Sequence, residues 1–128
     1  MKILGIGVDI VENIRIHKSI KNISFIKRVF SSSEILLAKK ITNKKSYYSK
    51  RFAAKEAFSK AIGTGFRDNF NFKDISIIKD KLGKPSFAIK ISVLENIRLI
   101  KSLFFNNLPT LEFSIISTPM PNIFISMY

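Results

Sequence analysis

The chain has 128 residues, 46% of them hydrophobic, which is enough for one domain with one core and too apolar for a disordered segment. It has no cysteine, which excludes a disulfide scaffold, a thiol nucleophile and thiolate metal sites, and fits a reducing cytoplasm. The net charge of +13, from 22 Lys and Arg against 9 Asp and Glu, favours an anionic partner: nucleic acid, anionic membrane, a phosphate-rich ligand or an acidic protein.

No apolar run approaches the roughly 18 residues of a membrane span, and Met1-Lys2 leads straight into a strand-like segment rather than a signal peptide. Ile, Lys, Asn and Phe crowd the sequence, and their codons are rich in A and T. The placement of charge therefore carries more than its sum. From Asn13 to Lys55 there are twelve basic residues and one acid, Glu34.

Residues 2–12 read as a strand with Leu4, Ile6, Val8 and Ile10 on one side and Gly5, Gly7 and Asp9 on the other. Two glycines beside an Asp are expected to leave an open floor where a ligand approaches the backbone. Asp9 is either a strand-end residue bonding local N–H groups or part of a site, and if buried it needs a cation, a donor or water. Residues 13–20 read as a short basic helix with Ile14, Ile16 and Ile20 inward and His17, the one histidine, at the surface. A second short segment covers 24–30. Ser31-Ser32-Ser33-Glu34 then fits a capping box opening a helix through Leu36 and Leu37 to about Lys40.

After the polar turn Thr42–Lys45, the longest helix is expected from about Ser46 to Ile62. Ala54, Ala57, Phe58 and Ala61 share one small-residue face, which lets this helix sit close to its neighbour. Gly63 and Gly65 can supply the positive φ of a C-cap and expose bare N–H groups. Glu56 and Lys60 lie one turn apart on another face, with Phe52 a turn before them. They are either an ordinary exposed pair or part of a site that needs a second carboxylate. Beyond the polar loop Arg67-Asp68-Asn69, a hairpin is predicted from strands 73–79 and 85–91 around Asp80–Lys84. A helix over 92–105 follows, with Val93, Ile97, Ile100 and Phe104 at helical spacing, ended by Asn106–Pro109. Two strands at about 110–117 and 122–127, joined by Thr118-Pro119-Met120-Pro121, complete the chain. Neither a repeat nor a linker interrupts 1–128, so a single domain is expected. Hairpin-joined strands predict the α+β class, a small antiparallel sheet packed with helices. The final strands are apolar enough to predict a subunit interface.

Asp9 and Glu56 together make a hard-cation site, since Mg2+ is commonly held by one or two carboxylates together with waters and substrate phosphate oxygens. Lys60 beside them would neutralise a phosphate, and Gly63-Thr64-Gly65 would admit a phosphorylated ligand to the backbone. That set suits transfer at a pyrophosphate.

At this point the chain resembles the holo-acyl-carrier-protein synthases, the short trimeric type of 4′-phosphopantetheinyl transferase. The resemblance rests on Gly5-Ile6-Gly7-Val8-Asp9-Ile10-Val11-Glu12, on the run Arg51-Phe52-Ala53-Ala54-Lys55-Glu56-Ala57-Phe58-Ser59-Lys60-Ala61-Ile62-Gly63-Thr64-Gly65, and on Gly83-Lys84-Pro85. It implies transfer of 4′-phosphopantetheine from coenzyme A to a serine of apo-acyl carrier protein in fatty acid biosynthesis. It implies Mg2+ as cofactor, with Asp9 and Glu56 as metal ligands and catalytic residues together with Lys60. Arg51, Lys60, Gly65 and Lys84 would contact coenzyme A. Arg15, Lys21 and Arg28 would dock the acidic carrier protein. A homotrimer in the cytoplasm is implied, with the active site between subunits and neither nucleic acid nor membrane as partner. One departure stands out. The family's first C-terminal strand usually reads like His-Val-Ser-Leu-Ser-His, whereas here it is Leu111-Glu112-Phe113-Ser114-Ile115-Ile116-Ser117, followed by Pro119-Met120-Pro121. Two other readings accompany this one: a small basic nucleic-acid-binding module, carried by the charge of 13–55, and a transferase fold that has lost activity, carried by that altered strand.

Overall fold

The computed structural model describes residues 3–63 and 70–103 and the backbone of 113–117 and 122–127. Strand β1 (Gly5–Ile10) is followed by helices α1 (Asn13–Ser19), α2 (Ile23–Val29), α3 (Ser32–Ala38) and α4 (Lys44–Ile62). A 3-10 turn (Phe72–Asp74), strands β2 (Ile75–Lys79) and β3 (Pro85–Ile89), helix α5 (Ile91–Ser102) and strands β4 (Phe113–Ser117) and β5 (Asn122–Met127) complete it. The α+β class holds. The strands form two antiparallel sheets, a three-stranded one in the order β1-β5-β4 and the separate hairpin β2-β3. Thr64, Gly65, the 67–69 loop, Phe104, 106–109 and the 118–121 connection lie outside the described residues.

Helix α4 is the hub. Its start is fixed by Asn43, whose side chain accepts from the Ser46 N–H at 3.0 Å, so the helix begins two residues before the predicted Ser46. It ends at Gly63, whose φ of 86° is the left-handed cap the sequence predicts. Ala54, Ala57, Phe58 and Ala61 are all buried, and the Phe58 ring packs 5.0 Å from that of Phe87.

The face of β1 that meets this helix is not an open floor. Gly7 lies so close to Ala57 and Ala61 that a Cβ on it would overlap their backbone atoms. Glycine on the strand and alanine on the helix together bring two backbones into contact, and that contact fills the space predicted for a ligand. The opposite face of β1, with Ile6 and Ile10, is exposed in the single chain. One further expectation fails because a short helix buries only a narrow stripe: Ile14 points outward while Ile16 of the same helix is buried. Lys90 caps α5 with extended backbone, so the chain leaves β3 after Ile89 and is helical by Ile91.

Candidate functional site

Asp9 lies on the same face of β1 as Gly7, so it points toward α4. Glu56 and Lys60 sit one turn apart near the end of that helix. The Lys60 ammonium donates to Asp9 Oδ1 at 2.7 Å and to the Val8 carbonyl at 3.1 Å. Lys60 therefore reaches across to β1, and no Glu56–Lys60 hydrogen bond forms. Among the described residues, Asp9 accepts nothing from local backbone N–H groups, so the strand-end reading fails. Its second oxygen, Oδ2, is buried and has no hydrogen-bond partner.

Glu56 is half-buried. Burial raises its carboxyl above the usual carboxylate range, and the negative charge of Asp9 raises it further, while Lys60 and Arg15 pull it back. The two carboxylates are thus near enough to repel, and one buried oxygen of Asp9 is unsatisfied. That combination is the chemistry of a cation site: an ion between them would remove the repulsion and give Asp9 Oδ2 its missing partner. Two carboxylates leave the rest of an octahedral shell to water or ligand oxygens, which suits Mg2+. Lys60, its side chain 53% exposed, stands at the open side of the pair, whereas Asp9 is mostly covered.

Arg51 is elsewhere. It lies nine residues before Lys60, about 180° around the helix, and it is buried. Its guanidinium stacks 3.6 Å over the Tyr47 ring, and its Nε stands 3.9 Å from Glu34 Oε1. Within this chain it faces the interior, apart from Asp9, Glu56 and Lys60. Lys84 is exposed on the β2–β3 turn, whose shape comes from Asp80 Oδ1 accepting from the Leu82 and Lys84 N–H groups at 2.9 and 2.8 Å. No bond joins Lys84 to Asp9, Glu56 or Lys60 among the described residues. Gly65 lies outside them. Arg15, Lys21 and Arg28 are all exposed, on α1, after it and on α2. A cavity of about 710 Å³ between α2, α3 and the 3-10 turn, bordered by Lys27, Lys39 and Lys73, includes none of the three clustered residues.

Sequence reasoning missed a second charged cluster. Glu34 is 3% exposed and Lys55 fully buried. The Lys55 ammonium donates to Glu34 Oε2 at 2.6 Å and to the Val29 carbonyl at 2.8 Å. Glu34 also accepts from the Ser31 N–H at 2.9 Å, completing the predicted capping box, and from the Ile77 N–H at 3.0 Å. Tyr47 donates its hydroxyl to the Glu34 carbonyl at 2.8 Å. Burial lowers the Lys55 ammonium below the usual lysine range, while Glu34 opposes that shift. Removing one partner of such a pair costs on the order of 3–5 kcal/mol. The signal was in the sequence: Glu34 is the lone acid among twelve bases.

Comparison with known proteins identifies the family. The 4′-phosphopantetheinyl transferase superfamily matches residues 5–109. A holo-[acyl-carrier-protein] synthase of Pelagibacter ubique (strain HTCC1062) is 88% identical over 89 residues, covering 70% of each chain. That of Clostridium tetani (strain Massachusetts / E88) is 49% identical over 102 residues, covering 79% of this chain and 80% of its own. The crystal structure of the Neisseria meningitidis holo-[acyl-carrier-protein] synthase superposes with a TM-score of 0.75 at 32% identity, covering 98% of this chain and 97% of that one. The Helicobacter pylori synthase, solved in complex with coenzyme A, gives 0.71 at 31% identity over 95% and 96% of the two chains. The chain belongs to the 4′-phosphopantetheinyl transferase superfamily and, within it, to the holo-[acyl-carrier-protein] synthases.

Proposed function

We propose that the chain transfers 4′-phosphopantetheine from coenzyme A to a serine of apo-acyl carrier protein, with Mg2+ held by Asp9 and Glu56, and so activates the carrier for fatty acid synthesis. The observation that carries this reading is the unsatisfied, buried Asp9 Oδ2 near the Glu56 carboxyl, whose proton affinity is raised by burial and then by Asp9. The serine oxygen forms a bond to the pantetheine-side phosphorus as the pyrophosphate bridge breaks. Adenosine 3′,5′-bisphosphate leaves with the bridging oxygen, and the serine proton is lost to the surroundings. Mg2+, when bound, supplies positive charge to the pyrophosphate oxygens.

The chain's own residues do the rest. Asp9 and Glu56 fix the position of positive charge. Lys60, tethered by Asp9 and the Val8 carbonyl but open to solvent, presents its ammonium to a phosphate at the same edge. The close Gly7–Ala57 contact holds the strand and helix that carry these groups at a fixed spacing. Arg15, Lys21 and Arg28 give α1 and α2 a basic outer face that steers an acidic carrier toward that edge. The exposed apolar face of β1 supports a homotrimer closed through its strands.

The test is the intact mass of apo-acyl carrier protein after incubation with the protein, coenzyme A and Mg2+, beside an EDTA control. A phosphopantetheine mass gain only with Mg2+ is expected. No gain with folded protein and a competent carrier would overturn the reading and favour a fold that has lost activity.

A further inference from the structure

We propose that Lys55 is a positioning residue for the carrier protein: it holds the C-terminal end of α2, and with it Arg28, against α4. The inference rests on the reading that Arg28 docks the carrier. Lys55 is fully buried, so it touches neither substrate and acts only through what it grips.

What it grips is specific. Helix α2 has seven residues, too few to be stable alone. The last carbonyls of a helix lack partners within it, and here the Val29 carbonyl takes a hydrogen bond from the Lys55 ammonium at 2.8 Å. A cation at a helix C-terminus also opposes the negative end of the helix dipole. Among the described residues this is the one hydrogen bond from α4 to α2. Phe25 packs 6.1 Å from Phe52, and Phe30 packs 4.5 Å from Tyr48, ring centre to ring centre. Those contacts keep α2 near α4, but apolar packing is weakly directional and lets a short helix slide or tilt. The Val29 bond fixes one point on it.

The other end of the grip is rigid. The Lys55 ammonium is held by Glu34, which is itself pinned by the Ser31 N–H at the start of α3 and the Ile77 N–H of β2. A point fixed to three elements thus sets the end of α2. Arg28 is the next residue back along the chain from Val29 and is exposed in the last turn of that helix. Its guanidinium is presented from a helix end located by Lys55.

Lys55→Met alone would strand a buried carboxylate, so the test pairs it with Glu34→Gln. The apolar pair Glu34→Met with Lys55→Met is a second route to a folded protein. Steady-state kinetics are measured with apo-acyl carrier protein and coenzyme A varied separately, with Arg28→Glu assayed alongside. The KM for carrier is expected to rise about three- to tenfold in the double variant, with kcat and the KM for coenzyme A held. Glu34→Gln alone keeps the Val29 bond, and its carrier KM is expected to stay within about twofold. The Phe30 N–H, bonded to the Ile26 carbonyl at 2.9 Å at the end of α2, is expected to exchange with deuterium faster in the double variant than in the parent, while α4 amides do not.

An unchanged carrier KM, an equal rise in both KM values, or unchanged Phe30 exchange would overturn the proposal. Arg28→Glu raising the carrier KM while the double variant does not would remove the role of Lys55 and leave the docking reading standing. Arg28→Glu without effect would overturn the docking reading, and the inference with it.

Discussion

Gly7 of β1 rests directly on the backbone of Ala57 in α4, and a Cβ at position 7 would stand only 2.6 Å from the Ala61 amide nitrogen as well as overlapping the Ala57 carbonyl. Both obstacles are backbone, so no side chain can turn aside. Gly7→Ala is expected to force the strand from the helix at a cost of about 1–3 kcal/mol or more. Asp9, two residues on, would move with the strand, so Mg2+-dependent activity should fall even where the variant is fully folded. Gly63 offers the contrast: it has open space around its α-carbon but a φ of 86°, so Gly63→Ala is expected to cost about 1–2 kcal/mol through backbone strain alone. Urea unfolding midpoints, with activity measured below the transition, check both.

Lys60 and Asp9 are bonded to one another, and on the proposed reading their tasks are separable. Asp9→Asn removes the charge that an ion would need and is expected to abolish the response of activity to Mg2+. Lys60→Met leaves both carboxylates in place, so the response to Mg2+ should persist while kcat falls roughly 100- to 1000-fold, the range for losing one donor at a site of developing charge. Mg2+ titrations of both variants decide. A Lys60→Met enzyme with normal kcat would remove Lys60 from the catalytic set.

The raised proton affinity of Glu56 gives a pH dependence with a definite sign. Its folded-state pKa lies above the ordinary 4.5, chiefly through burial and then through Asp9. The folded state therefore holds that proton more tightly than the unfolded chain. Glu56 favours folding while protonated, and this contribution is lost as pH rises from the ordinary carboxylate value through the raised one. Metal-free Glu56→Gln is expected to be more stable than the parent at pH 8 and to lack this part of the pH dependence. On the proposed reading Mg2+ would bind the ionised pair, so its stabilisation of the parent should be greater at pH 8 than at pH 5 and absent in Glu56→Gln. Thermal melts at the two pH values with and without Mg2+ provide the comparison. An equal Mg2+ shift in parent and variant would place the ion elsewhere.

How far these features could be read in the sequence depended on whether their cause was local. The Ser31–Glu34 capping box, the Gly63 cap and the small-residue stripe of α4 follow from spacing within one element, and each is present. The pairing of Asp9 with Lys60, 51 residues apart, follows from no spacing. It became legible only through the joint chemistry of Asp9, Glu56 and Lys60. The glycine face of β1 was misread because alternation reveals two faces without telling which is covered. The glycine side packs against the alanines of α4, and the side with Ile6 and Ile10 is exposed in the single chain. The resemblance implies a coenzyme A contact for Arg51, and no spacing reveals that within this chain its guanidinium stacks on Tyr47. A buried carboxylate such as Glu34 draws in the nearest cations, and no one-dimensional pattern shows which bases those are.

The basic outer face makes the last prediction, and its three members should not behave alike. Arg15, Lys21 and Arg28 are exposed, and on the proposed reading each would help steer an acidic carrier, an effect that weakens with ionic strength. Arg28→Glu is expected to raise the KM for carrier protein more than that for coenzyme A, and the difference should shrink in high salt. Arg15 has a second action, because its charge also lowers the proton affinity of Glu56. Reversing it adds a negative charge where a positive one had favoured the ionised carboxyl. Arg15→Glu should therefore raise the KM for carrier and also shift the acid limb of the pH–rate profile upward. Arg28→Glu should leave that limb in place. Kinetics at two salt concentrations and across pH separate the roles. Identical pH profiles for the two variants would remove Arg15 from the electrostatics of the site.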